Sequence, residues 1–287
     1  MSLMAAHGEI TPMPDCAIFA DTGAEPLAVY EHLDWLETAL PFPVYRVSAG
    51  NLRDEIVGAM TGSNRMDARP PFFVRNVKPI GTVVPVYHWG DDGELVQIGE
   101  RILEKDEYKN SGMLHRQCTQ DYKILPIIKK VRELIGLKKG QRGPKEPVVE
   151  QWIGISCDEA MRMKPSRLSY ISHRWPLIER GYHRGHCLEW CEHHHYPKPA
   201  KSACTFCPYT DNARWRDMKA NDPVSFADAV AIDRIIRPGM PGPKRPSGNS
   251  WWVHRDCVPL DEVDLSTAED HGQLNLFINE CEGMCGV

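Results

Sequence analysis

Apolar residues fall in short unbroken runs through the first half of the chain and at helical spacing through the second. The run "CAIFA" (16–20) stops at "DTGAEP", which predicts a buried parallel strand running into a loop. Pro26 then opens a helix whose inward face is Val29, Leu33, Leu36 and Leu40, at offsets of four, seven and eleven. "VYRVSAG" (44–50) predicts a second strand, and "NLRDEIVGAM" the helix after it. Strand, helix, strand, helix is the order of a βαβ sheet. Residues 61–71 are polar and contain "ARPP", which marks a loop before the strand "FFV" (72–74). From 76 to 100 short apolar runs alternate with Gly and Asp, the pattern of a hairpin inserted on the sheet.

"DYKILPIIKKVRELIG" predicts a helix with Pro126 near its start and Gly136 at its stop. The basic, Gly/Pro-rich "LKKGQRGPKEP" (137–147) is a loop that is either mobile or suited to a phosphate. "VVEQWIGIS" returns to the sheet, and "CDEAMRM" opens another helix. Beyond about residue 165 the strand signal fades. The helical patterns "RGHCLEWCEHH", "TDNARWRDMKA" and "PVSFADAVAIDRIIR" are separated by Pro-rich turns, and "PGMPGPKRPSGNS" (238–250) predicts a flexible loop. The expectation is an α/β domain built on a parallel sheet over 1–165 and a smaller, mostly helical, Cys-rich unit over 166–287.

Composition narrows the function classes. With 287 residues, 42% hydrophobic and 25% charged, the chain has the make-up of a globular protein able to bury a substantial core. No stretch approaches the length of a membrane span, and the start "MSLMAAHGEITPMP" lacks the basic and apolar regions of a signal peptide. A cytoplasmic protein is expected. Ten cysteines in a reducing compartment then point to metal or redox chemistry rather than disulfides. The net charge of −5 hides an asymmetry: residues 119–184 carry 14 Lys/Arg against 7 Asp/Glu, and the rest of the chain 20 against 32. The basic middle is either a solvated helix face or a surface for a nucleotide or nucleic acid.

Three constellations carry candidate chemistry. At the end of the first strand, Asp21, Thr22 and Gly23 supply an acceptor, a hydroxyl and a backbone open to close approach, where open α/β sheets bind ligands; a plain helix-capping turn explains them equally well. In "GISCDEAMRM" and its tail "KPSR", Gly154 ends a strand and Asp158 and Glu159 open a helix. Arg162 follows one turn after Asp158. These are either a helix terminus with an Asp158–Arg162 ion pair, or a phosphate pocket of Arg162, Lys164 and Arg167 around helix-end N–H groups. The thiols are the sharpest feature. Cys187, Cys191, Cys204 and Cys207 read C-x3-C-x12-C-x2-C, a passable zinc site with the "HHH" of 193–195 nearby. The alternative is an iron–sulfur cluster on Cys204 and Cys207 with distant thiolates, for which Cys118, Cys187 and Cys281 are candidates. Cys16 and Cys157 read as inert buried thiols, and the terminal "ECEGMCGV" places Cys281 and Cys285 where a thiol can serve as ligand or sulfur nucleophile.

Taken together, "AIFADTGAEP", "RQCTQDYKILPI", "IGISCDEAMRM", "CTFCP" and "ECEGMCG" resemble the phosphoadenosine phosphosulfate (PAPS) reductase-like branch of the adenine nucleotide α-hydrolase, or PP-loop, superfamily, closest to versions found in phages and bacterial mobile elements. The resemblance runs over nearly the whole chain. It implies a Rossmann-like (HUP) parallel sheet binding an adenine nucleotide, ATP or PAPS, at its strand ends, and a [4Fe–4S] cluster, with zinc as the alternative. By position it implies nucleotide contacts from Asp21, Thr22, Gly23, Gly154, Asp158, Glu159, Arg162 and Arg167. It implies cluster ligands from Cys118, Cys187, Cys204 and Cys207, and reductive attack by Cys281 or Cys285. Ser156 stands where the family often has Arg, and Tyr122-Lys123 stands in place of an Arg-Lys pair. The family's first strand and its "S-G-G-x-D-S"-like phosphate loop have no counterpart here, and "MSLMAAHGEI" resembles the end of the helix that follows them, so the first strand reads as truncated. The implied activity is sulfur transfer or reduction, including thiolation of tRNA or DNA. A cysteine desulfurase or thioredoxin-type protein would be the donor. The contrasting expectation is a non-catalytic, zinc-stabilised nucleic-acid-binding or scaffold protein.

Overall fold

A computed structural model describes residues 1–63, 69–89, 94–239, 249–267, 270 and 272. Cys281, Cys285 and most of the 238–250 segment lie outside the described residues. In chain order the first elements are α1 (Ser2–Ala6), β1 (Ala17–Asp21), α2 (Leu27–Ala39), β2 (Val44–Ser48) and α3 (Leu52–Met60). Four antiparallel strands follow: β3 (Phe73–Lys78), β4 (Val83–Trp89), β5 (Leu95–Ile102) and β6 (Glu107–Met113). A π-helical turn (Thr119–Ile124) leads into α4 (Leu125–Leu134), then β7 (Val149–Trp152), a 3-10 turn (Cys157–Arg162) and β8 (Ile171–Arg174). The last elements are α5 (Pro176–Glu179), α6 (Arg184–His193), α7 (Asn212–Asn221), α8 (Pro223–Ile236) and β9 (Asn249–Trp252).

The protein is mixed α/β with small parallel and antiparallel sheets. β1 and β2 pair in parallel, Ala17 opposite Val44 through Asp21 opposite Ser48, with α2 as the crossover. The apolar spacing works as expected in α2: Val29 and Leu33 are buried, and Leu40 at its end packs with Leu3 and Phe42. β7 and β8 form a second parallel pair. One face of α4, through Ile127 and Val131, shares an apolar cluster with Ile18 of β1, Val149 of β7 and Ile171 of β8. The helix therefore holds both parallel pairs, although among the described residues no ladder hydrogen bonds join them.

The expected hairpin forms as β4 and β5, antiparallel. Around it, β3 is the centre of a three-stranded antiparallel sheet in the order β6-β3-β9. The helices of the second half form as expected, but that half also supplies β8 and β9, which pair with β7 and β3 of the first. The main core likewise crosses residue 165: Leu52 and Ile56 of α3 and Phe72 pack with Trp215, Phe226, Ile232, Ile236, Trp251 and Leu260. Among the described residues no helix is long and apolar enough to cross a membrane.

Candidate functional site

The loop after β1 is held by its own side chains. Asp21 Oδ1 accepts hydrogen bonds from the Gly23 backbone N–H at 2.7 Å and from the Tyr30 hydroxyl at 2.8 Å. Burial, followed by that bond to Asp21, pushes the Tyr30 phenol upward, so it stays a donor. Gly23 has φ +69, and a Cβ there would sit 2.9 Å from Asn51 Cγ and 3.1 Å from Asn51 Cα, so both conformation and space require glycine. Asn51 caps α3, and the Leu52 N–H donates to the Thr22 carbonyl at 2.8 Å. The strand end is thereby fixed against the start of α3. Replacing Gly23 with alanine is expected to cost at least about 1–3 kcal/mol, read as a lower urea midpoint.

The same loop is joined to the "KSACTFCP" turn. The Thr205 N–H donates to the Ala24 carbonyl at 2.8 Å, the Ser202 hydroxyl donates to Glu25 Oε2 at 3.3 Å, and Thr22 Oγ1 lies 3.3 Å from Cys204 Sγ. Thr22 is 1% exposed and the Glu25 side chain 0%. Within the turn, the Cys207 N–H donates to the Cys204 carbonyl at 3.0 Å, the tight geometry expected of a C-x2-C pair. Thr205 also donates to Asp228 at 2.9 Å, and Asp228 in turn pairs with Arg53 of α3.

Cys118 reaches this place from a third direction. It begins the π-helical turn, a local widening frequent at functional sites, which turns Tyr122 and Lys123 inward. The Tyr122 hydroxyl donates to Glu55 at 2.6 Å, and Lys123 Nζ lies 3.5 Å from Glu25 Oε1. Cys118 and Cys204 both pack against the main core. Burial and then the Glu25 carboxylate push the Cys204 thiol up to about 12, opposed by the Thr22 hydroxyl and the Lys123 ammonium; the Cys118 sulfur adds to the rise. Burial raises the Cys118 thiol too, against Arg116 and Lys123. For Lys123 burial is the largest influence and lowers its pKa, but Glu25 and the Cys204 and Cys207 sulfurs outweigh it and leave the ammonium above its ordinary range. Three sulfurs, one buried carboxylate and one ammonium therefore share a single electrostatic environment.

Cys187 belongs elsewhere. It packs with Met4 and Leu177, and the groups acting on its thiol are the chain's amino terminus, Cys191, Asp158 and Arg184. Cys187 thus packs on a different apolar cluster from Cys204, which lies against the main core. Among the described residues no three His, Cys, Asp or Glu side chains are arranged to hold a single metal ion.

The "CDEAMRM" segment also departs from expectation. It is a 3-10 turn kinked at Glu159, and the tighter winding aligns residues three apart, so Arg162 pairs with Glu159 rather than Asp158. Asp158 instead accepts hydrogen bonds from the Arg184 N–H at 2.6 Å, His183 Nδ1 at 2.7 Å and the Ser156 hydroxyl at 3.2 Å, closing the start of α6. A cavity of about 220 Å³ beside it is lined by Gly154, Asp158, Glu159, Arg184 and Cys187 among others, whereas Arg162 does not line it and Lys164 and Arg167 are exposed.

Burial, the largest influence on Asp158, raises its carboxyl, but the bonds from Arg184, His183 and Ser156 hold it below its ordinary 3.8. Asp158→Asn is expected to cost about 1–3 kcal/mol at neutral pH. A depressed carboxyl contributes stability above its unfolded pKa and loses it as pH falls through the folded one. The gap between wild type and variant in urea titrations should therefore close below about pH 4.

Glu25 and Lys123 are the site residues that sequence reasoning missed. The available signal was a Glu between Ala24 and Pro26 in an apolar stretch, a charge that burial would oblige to find a cation. Comparison with known proteins gave no match: no family model, no curated protein and no solved structure corresponds to this chain.

Proposed function

We propose that the chain is a PAPS reductase-like iron–sulfur protein acting in sulfur transfer or reduction with an adenine nucleotide. One observation carries the reading: Cys118 and the Cys204/Cys207 pair, far apart in sequence, share one environment with the Thr22–Gly23 loop that ends a parallel strand. Ligands of α/β sheets bind at such strand ends. The donor set, all sulfur and drawn from two segments of the chain, is of the kind that holds an iron–sulfur cluster. Lys123 supplies a positive charge beside thiolates, and the fully buried Trp215 indole N–H, in the core against which Cys118 and Cys204 pack, has no partner among the described residues. When bound, such a cluster supplies an electron-transfer centre, or an iron open to sulfur if only three thiolates hold it.

The chain's own residues have separate roles in this reading. Thr22 orients the Cys204 sulfur, and Glu25 positions Lys123, whose charge stabilises thiolates. The loops after β1 and β7, carrying Asp21–Gly23 and Gly154, would meet the nucleotide. Cys281 or Cys285 would provide the attacking thiol, and tRNA or DNA the acceptor. The Rossmann-like sheet, of which β1–β2 and β7–β8 would be parts, and a cysteine desulfurase or thioredoxin-type donor belong to the same proposal.

The test is anaerobic reconstitution with iron and sulfide. Brown protein absorbing near 400 nm is expected, with the colour lost in Cys118→Ser, Cys204→Ser and Cys207→Ser and kept in Cys187→Ser. Colourless protein holding stoichiometric zinc, or a cluster indifferent to Cys118 and Cys204, would sink the reading. Addition of ATP or PAPS should raise the melting temperature if the strand-end loops suffice for nucleotide binding.

A further inference from the structure

The three-stranded sheet has two unlike faces. Side chains alternate along β3, so Phe73, Arg75 and Val77 share one side while Val74 and Asn76 take the other. Pairing places Trp252 opposite Phe73, Asn110 and Ser250 opposite Arg75, and Tyr108 opposite Val77. Val74 and Trp251 pack into the main core. The opposite face carries Tyr108, 61% exposed, with Arg75 and Trp252 half-buried beside it.

Across that face rings and planar cations alternate. The Arg75 guanidinium lies 5.5 Å from the centre of the Tyr108 ring and 5.7 Å from that of Trp252, and the Arg237 guanidinium lies 5.1 Å from Trp252. The two arginines differ in charge balance. Arg237 is neutralised by the buried Asp233 at 2.8 Å. Arg75 donates only to neutral oxygens, Asn110 Oδ1 at 3.3 Å and the Asp256 carbonyl at 2.9 Å, and among the described residues it forms no ion pair. An unneutralised guanidinium lying within 6 Å of two ring centres on an exposed sheet face calls for an anion that also brings flat apolar surfaces.

We propose that this face binds single-stranded nucleic acid, with bases stacking on Tyr108 and along the Arg75–Trp252 row and a backbone phosphate meeting Arg75. Unpaired bases expose their π-faces and a duplex hides them, so a flat row of rings and guanidinium planes selects single strands without reading sequence. Its residues lie outside the basic 119–184 stretch of the sequence, where the charge pattern alone would have placed nucleic acid. The inference rests on this face alone and stands whichever chemistry the thiol site performs.

Fluorescence anisotropy with the full chain and labelled dodecamers of thymidylate and uridylate tests it. Binding is expected for the single strands and much weaker for a duplex of the same length. Tyr108→Ala should weaken it about tenfold while Tyr108→Phe retains it. Arg75→Gln should weaken it and flatten its salt dependence. Urea midpoints of the variants identify any that fail to fold, and Tyr108, being exposed, can be removed without opening the core. The proposal is overturned by absence of binding at low ionic strength, by equal affinity for duplex, or by full affinity in folded Tyr108→Ala and Arg75→Gln proteins with loss only in Lys139→Ala of the basic loop. It is equally overturned if the free protein is a dimer that Tyr108→Ala dissociates, since a second copy then covers the face.

Discussion

Asp233→Asn is expected to remove about 3–5 kcal/mol of stability, the scale set by breaking a buried charged network from one side. The Asp233 side chain is 0% exposed and accepts four hydrogen bonds: from the Val253 N–H at 2.9 Å, the Leu260 N–H at 3.3 Å, and Arg237 Nε and Nη2 at 3.2 and 2.8 Å. Three of these converge on one oxygen. An amide of the same shape must turn either its NH2 toward the Leu260 and Arg237 donors or lose the bond from Val253, so donors face donors and a guanidinium loses its counter-charge. The carboxylate joins α8 to the chain after β9, and Val253 and Leu260 are fully buried around it, so the loss reaches the core rather than a loop. Urea denaturation should show the lower midpoint with an unchanged m-value. A cost under about 1 kcal/mol would mean that the backbone donors find water and that the network contributes specificity rather than stability.

The network also shows what the sequence conveyed and what it did not. Asp233 sits in "AIDRII", where the helical spacing of apolar residues was plain, and α8 formed as that spacing required. The local pairing with Arg237, four residues on, would suit a solvent-facing Asp equally; what marks Asp233 as buried is the pair of backbone donors at Val253 and Leu260, 20 and 27 positions on. The strands missed in the second half have a related cause. β8 and β9 are four residues long, too short to display alternation, and each is specified by the strand it pairs with. β6, "EYKNSGM", is polar because one of its faces is open, and it becomes a strand through its pairing with β3. In the candidate site, the strand-end loop and the C-x2-C turn were visible separately as local patterns. Their meeting was not, since Thr22 touches Cys204 across 182 positions. Cys187 packs on the Met4–Leu177 cluster, and spacing along the chain says nothing about which side of a core a helix presents.

The pairing of Glu25 with Lys123 leads to the second large effect. Lys123→Met should destabilise the protein by about 3–5 kcal/mol, because among the described residues the fully buried Glu25 then keeps only the Ser202 hydroxyl as a hydrogen-bonding side chain. Glu25→Gln should cost less, since Lys123 is 30% exposed and can turn its ammonium to water. The double variant separates two explanations. If the single lysine variant suffers chiefly from an unpaired buried carboxylate, adding Glu25→Gln recovers part of the loss, and the cycle gives a coupling of about 1–3 kcal/mol. If Lys123 matters chiefly through packing of its methylenes, the two costs add and the coupling vanishes. Thiol chemistry offers an independent check on the same residues. The Lys123 ammonium lowers the Cys204 thiol, so its removal should raise that pKa and slow the alkylation of Cys204 in the reduced, metal-free protein. Alkylation of Cys16, whose neighbours are Asp15 and Lys130, should be unchanged and serves as the internal reference. Slower labelling at Cys204 with Cys16 unchanged would tie the stability of the buried pair to the reactivity of the thiol it accompanies; uniform slowing would reduce Lys123 to a structural cation.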